Sequence, residues 1–366
     1  MLEEQNLENP EQVEIPAQEE IQTEPETEEN TAEIKEEIPY QSTIFEEIVL
    51  TPEQEEKKEI KKISKIIGFS FLLMTAIILS FSFLAVTVFN ALGFDYNKTY
   101  EILNEPAVAQ VQQILFSIII FTIPFIIVFK LCRYRISDLI SFKKPEKNLF
   151  LPLFFVGLSI CAFSNIASSV AGSIFENFGI DYEVTYAEEP DGIFGFLLSL
   201  LATVIVPPLV EEFACRGIVL GILKKFGDLF SIIVSSILFG FMHSNFEQIP
   251  FAFFVGIGLG FITIKSGSIW LAVLVHAVNN SISVIYSYFL SKLSLGFQNI
   301  SYTILLTVEL ILGIISLLYI KNEDFFKLDT SKTENTVPRK LKYFFTSVPI
   351  IIYLIFCVIS SLKFFN

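Results

Sequence analysis

The chain has only two histidines in 366 residues, His243 and His276. Its four cysteines, Cys132, Cys161, Cys215 and Cys357, are scattered without metal-ligand spacing, which argues against a zinc finger or a disulfide framework. Arginine is scarce as well, supplying four of the 25 basic residues. There is no HExxH to build a zinc site on one helix, no GxSG with a histidine for a serine dyad, and no GxGD for paired aspartates. The N-terminus lacks a basic stretch followed by a short apolar run. It is therefore not expected to be a signal peptide, and the first membrane helix is expected to direct insertion. Positive charge is nearly absent from residues 1–60, where 20 Glu face only Lys35, Lys57 and Lys58, a net charge of −17. The whole chain carries −15, so residues 61–366 are close to neutral and the acidity belongs to a tail. Nucleic acid is not an expected partner.

Apolar residues are abundant. At 52% hydrophobic, a chain of this length reads as a polytopic membrane protein. The expected fold is all-α: a transmembrane helix bundle of about eight or nine spans behind an acidic N-terminal tail. Residues 1–56 are rich in Glu, Gln, Pro and Thr, too polar to bury a core, so they are expected to be disordered and solvated. A helix is expected from Glu53 to Lys65, just before the membrane. The domain division is then a cytoplasmic tail over 1–60 and a transmembrane domain over 61–366.

Apolar stretches long enough to span recur near 66–90, 111–131, 149–172, 193–223, 229–244, 249–265, 268–290, 302–320 and 343–362. Lysine and arginine crowd every second connection: Lys57 to Lys65, Lys130 to Lys147, Lys224 and Lys225, Lys265, and Lys321 to Lys342. The alternate loops hold only Lys98 and Lys292, and 176–191 is acidic. The bias places the N-terminus in the cytoplasm of a cell-membrane protein and, with nine spans, the C-terminus outside.

Three polar clusters interrupt these apolar runs: Glu211-Glu212-Phe-Ala-Cys-Arg216-Gly217, Phe239-Gly-Phe-Met-His243 and His276-Ala-Val-Asn-Asn280. Ionisable residues inside membrane segments are costly, which makes each a functional candidate. With Lys224 and Lys225 at the interface, Glu211 lies ~18–20 Å up its helix, His243 ~22 Å, His276 ~12 Å and Asn280 ~18 Å, at 1.5 Å per residue. Four polar residues on three helices thus share a depth near mid-membrane. Pro207-Pro208 is expected to kink or open the helix before the glutamates and to free backbone groups toward a water-filled cavity.

Spacing separates the roles within the first cluster. Glu212 and Arg216 are i,i+4 and can pair on one face, which offsets most of the cost of burying both. Glu211 is rotated ~100° away and is left as the unpaired carboxylate, suited to a general base. His276 and Asn280 are also i,i+4 and could donate to an oxyanion. Phe239, one turn before His243, is placed to fix that ring by packing. A carboxylate, an imidazole and two donors make a hydrolytic site for an amide. Taken singly each cluster has a bland reading, an interhelical hydrogen bond or a structural ion pair. Gly256, Gly258 and Gly260 read as helix packing, and Cys215 as a small residue in a packed helix.

In order and spacing, the three clusters resemble the CPBP membrane proteases, which include the type II CAAX prenyl proteases and the bacteriocin self-immunity (Abi) proteins. The family pattern is EExxxR, FxxxH and HxxxN, and the resemblance covers about 192–290. It implies an intramembrane endopeptidase acting on a membrane-associated or lipidated peptide or protein. It also implies that Glu211 activates water with help from His243, that His276 and Asn280 stabilise the oxyanion, and that Glu212 and Arg216 support the site. The assigned roles favour chemistry without a required cofactor. If zinc were bound, Glu211, His243 and His276 would be its ligands. Bacteriocin processing or immunity is an implied role. The rival readings are a non-catalytic scaffold or regulator of the same fold and, with no evident inverted repeat to support it, a transporter. The oligomeric state is not legible.

Overall fold

The computed structural model describes residues 50–139, 142–177, 188–320, 323–330 and 333–362, and every regular element among them is helical. The tail over 1–49 lies outside the described residues. Helix α1 (Pro52–Ala91) begins at a capping box, with Thr51 and Gln54 exchanging side-chain and backbone hydrogen bonds and Pro52 in the first turn. Its 40 residues make a rod ~60 Å long, so its polar first turns, the helix expected over 53–65, stand outside a ~30 Å hydrocarbon layer. Helix α2 (Tyr96–Leu103) is a short connector, and α3 (Pro106–Cys132) is the second span. A single turn, α4 (Ile136–Leu139), precedes α5 (Lys147–Asn177).

Next comes a long irregular helix, α6 (Gly192–Phe226), then α7 (Asp228–Phe241), α8 (Gln248–Ser266), α9 (Ile269–Leu290) and α10 (Leu295–Tyr319). A turn, α11 (Glu323–Phe326), leads to α12 (Val337–Phe345) and α13 (Val348–Leu362), which meet at 78°. Among the described residues seven helices are long and apolar enough to cross a membrane, or eight if the bent pair α12–α13 is one span. Eight falls within the eight or nine spans expected from sequence, and one expected span proves short. The stretch 229–244 folds as α7, whose 14 residues reach only ~21 Å, short of a full crossing. The chain is a multi-pass membrane protein.

Periodicity explains the packing. Ile60, Ile63, Ile67, Phe71 and Met74 form one buried stripe on α1, packed against Phe121, Phe125 and Val128 of α3 and Ile350 and Tyr353 of α13. A second core joins Leu153 and Cys161 of α5 to Val255, Leu259 and Ile262 of α8 and Leu271 and Val275 of α9. The glycines of α8 serve this contact. A methyl group on Gly256 would meet Ser236 at 3.0 Å, and one on Gly258 would meet Ile160 at 2.8 Å, so α8 lies close to both α7 and α5. Outward faces are apolar, as a lipid-facing surface requires; Phe83 and Phe194 are examples.

Basic residues gather at one end of the bundle, where the polar segment before α12 acts as a clasp. Asn335 holds Glu56 through its backbone and side chain, both at 2.7 Å, and donates to the Glu53 carbonyl at 3.1 Å. Lys340, almost wholly buried, donates to the Phe226 carbonyl at 2.6 Å. Asp228 and Asp329 exchange hydrogen bonds at 3.0 and 2.9 Å. These contacts tie the start of α1 to the end of α6, which carries Lys224 and Lys225, and to the turn that follows it.

Candidate active site

The irregularity of α6 begins with its prolines. Pro207 and Pro208 have no N–H to return to the carbonyls of residues 203 and 204, four positions back. Just before them the helix widens into a π turn over Leu200–Ile205, where the Val206 N–H reaches back to Leu201. Two carbonyls so released are taken by side chains from neighbouring helices. Gln113 of α3 donates to Ala202 O at 3.1 Å, and Asn280 of α9 donates to Thr203 O at 3.0 Å. The expectation that the proline pair would open backbone to a cavity is therefore met differently: these groups are satisfied by side chains. A second π turn, Phe213–Leu220, follows the glutamates and carries Arg216.

Glu212 is at the centre of the polar cluster and is fully buried. Its Oε1 accepts from Arg216 Nη1 at 2.9 Å, the i,i+4 pair read from the sequence, and from His276 Nδ1 at 2.9 Å. Arg216 has two further contacts: Nη2 donates to Gly256 O on α8 at 3.3 Å, and the guanidinium lies 4.1 Å over the Phe239 ring. A planar cation that pairs, stacks and reaches a carbonyl is a task for arginine rather than lysine. Gly256 thus serves twice, as a close-packing residue and as an acceptor.

Glu211 faces the other side of the same imidazole, with Oε2 3.9 Å from His276 Nε2. His276 stands between the two glutamates. Phe239 stands between the two histidines, its ring centroid 5.4 Å from that of His243 and 5.8 Å from that of His276, both edge-on. His243 lies in the turn just after α7, and its Nδ1 meets the Phe239 carbonyl at 2.9 Å. Among the described residues no hydrogen bond joins Glu211 to His243.

The partners define the proton positions. A glutamate paired with arginine accepts only, and a carbonyl accepts only, so Nδ1–H donates in both histidines. Nε2 of each ring is left with the lone pair when neutral and with a second N–H when charged. Both rings are thereby oriented with one nitrogen free.

Glu211, Glu212, Arg216, Phe239, His243, His276 and Asn280 thus come from α6, the end of α7 and α9, and all but Asn280 form one chain of contacts. Asn280 lies one turn beyond His276, bound to the Thr203 carbonyl. Gln113 and the carbonyls of Thr203 and Gly256 were not legible in the sequence. The proline pair was the available signal for the first two, because a missing N–H implies an orphaned carbonyl. Glu309 on α10 was also passed over, although it is an acid in an apolar helix and is buried, at 6% exposure.

Residues 193–282 match the family described as type II CAAX prenyl endopeptidase Rce1-like, the segment that holds all three motifs. The resemblance drawn from those motifs is borne out over that segment. The chain is 30% identical over 132 residues to the protein named "Putative membrane peptidase YdiL" of Bacillus subtilis (strain 168). The aligned part is 35% of this chain and 53% of that relative, so the match spans about half the relative's length. No solved structure matches.

Proposed function

We propose that the protein is an intramembrane endopeptidase that hydrolyses an amide bond of a membrane-associated peptide or protein with water activated by Glu211. The observation that carries this reading is His276 held between Glu212 at 2.9 Å and Glu211 at 3.9 Å. Glu212 is neutralised by Arg216 and fixes the ring, which leaves Glu211 as the carboxylate with no committed donor. In the reaction water adds to the amide carbon and its proton passes to Glu211. His276 Nε2 is close enough to share that proton, and once charged it becomes a donor toward the oxyanion. The proton then goes to the departing amine as the C–N bond breaks. His243, with Nε2 free, is the second group that can hold the water, and the second N–H of Asn280 can reach the oxyanion.

Two imidazole Nε2 atoms, each with its Nδ1 hydrogen-bonded, have the donor chemistry of a zinc site. The third ligand is not gathered with them: among the described residues no three His, Cys, Asp or Glu side chains form a metal-holding group. No step is therefore routed through a metal, and the proposed chemistry requires no cofactor. The proposed orientation has the basic, clasped end in the cytoplasm. A bacteriocin-like or lipidated peptide is the substrate class in view.

The test is cleavage of a peptide panel by the purified full chain in detergent. Glu211→Gln is expected to lower turnover by at least ~100-fold, the scale of a lost general base, while leaving the melting temperature close to wild type. Equal turnover would end the glutamate mechanism. No cleavage by the wild type of any peptide, prenylated ones included, would favour a non-catalytic scaffold.

A further inference from the structure

Outside the polar cluster, a wide recess lies at the basic end of the bundle, between the starts of α5 and α9. It is a groove of about 570 Å³. Its lining is mostly apolar, with Phe142, Leu151, Trp270 and Leu274, and includes two cations, Lys144 and Lys147. Phe142 and Trp270 lie against each other with ring centroids 6.0 Å apart. Leu151, Trp270 and Leu274 are all solvent-exposed on spanning helices, so the groove opens toward lipid. Trp270 is the second residue of α9 and Lys147 the first of α5, so both stand where their helices enter the membrane. Tryptophan and lysine are the side chains that settle at that level.

We propose that this groove is a binding site for an anionic phospholipid, with an acyl chain along Leu151, Trp270 and Leu274 and the headgroup phosphate against Lys144 and Lys147. A lipid-facing apolar recess is filled by some acyl chain, and the two cations decide which headgroup is preferred. Neither lysine has a carboxylate within ion-pair distance among the described residues. Glu146 lies between them in the sequence but does not line the groove. The lysines therefore present uncompensated charge to a phosphate beside an apolar slot, and each basic residue at a membrane surface contributes a preference of about fivefold. The site is independent of the peptidase reading and would stand if that reading failed.

The protein carries its own probe, because Trp270 is its only tryptophan. The full chain is placed in phosphatidylcholine nanodiscs containing a minority of dibrominated lipid, and tryptophan emission is measured. Dibrominated phosphatidylglycerol should quench Trp270 as though enriched at least about fivefold over dibrominated phosphatidylcholine at the same mole fraction. Lys144→Ala/Lys147→Ala should bring that ratio close to one. Lys143→Ala, a neighbouring charge that does not line the groove, should leave it nearly unchanged. Equal quenching of the wild type by both lipids would overturn the proposal, and this arm needs no variant to fold. An equal loss on Lys143→Ala would also overturn it, since the preference would then be a diffuse surface charge.

Discussion

Arg216 is the side chain on which burial of the polar cluster most depends. Without it, Glu212 keeps a single donor, His276 Nδ1, and its second oxygen has no hydrogen-bond partner. Removing one partner of a buried pair costs about 3–5 kcal/mol, because the other charge is stranded. Arg216→Ala is therefore expected to lower the melting temperature in detergent markedly and to abolish activity with it. Arg216→Lys should restore only part of the loss. An ammonium can meet Glu212, but it cannot also stack on Phe239 and reach Gly256 O. A wild-type melting temperature for Arg216→Ala would show that the pair contributes nothing to the fold. The pairing itself was legible from the four-residue spacing. The bracketing of His276 was not, because it depends on how α9 lies against α6, which no local spacing encodes. Glu309 shows the converse: its charge was visible in the sequence, but its burial follows from where α10 packs.

On the scale of a helix, α6 departs from regular winding where the chain withholds donors. Pro207 lacks the N–H that would meet Thr203 O, and Asn280 supplies one from α9. Asn280 therefore has a structural duty apart from any contact with substrate, and the two can be separated. Asn280→Ala should cost about 1–3 kcal/mol by leaving a partly buried carbonyl unpaired. Adding Pro207→Ala returns a backbone N–H toward Thr203 and should recover much of that stability. If Asn280 also donates to the oxyanion, activity will stay low in the double variant while its melting temperature rises. Recovery of both would assign Asn280 to the fold alone. The sequence indicated an opening at the prolines but not what closes it, since hydropathy places helices at a depth without rotating them. It also overextended 229–244: the apolar run continues past Phe241, where the helix ends, and Ser244 turns left-handed at φ +48°.

For the whole molecule, charge is sorted by end. The clasp of Asn335 on Glu53 and Glu56, with Lys340 on the Phe226 carbonyl, fastens the start of α1 to the turn after α6. Helix α1 therefore begins within the acidic stretch rather than after it. This divides the N-terminal region in two for any truncation. Deleting residues 1–49 leaves Thr51, its cap on Gln54 and both clasp contacts in place. Cleavage of a short peptide by that protein is expected to stay within about twofold of wild type, because the deletion removes neither a clasp contact nor a side chain of the polar cluster. Deleting residues 1–56 removes the cap, Pro52 and both glutamates that Asn335 holds. The loss of a helix cap costs about 1 kcal/mol, and Asn335 loses its charged acceptor as well, so the melting temperature should fall. Thermal melting and peptide cleavage on the two truncations separate the cases. A collapse of activity in the 1–49 deletion at unchanged melting temperature would mean that the tail takes part in substrate recruitment. A wild-type melting temperature for the 1–56 deletion would mean that the clasp is dispensable to the fold.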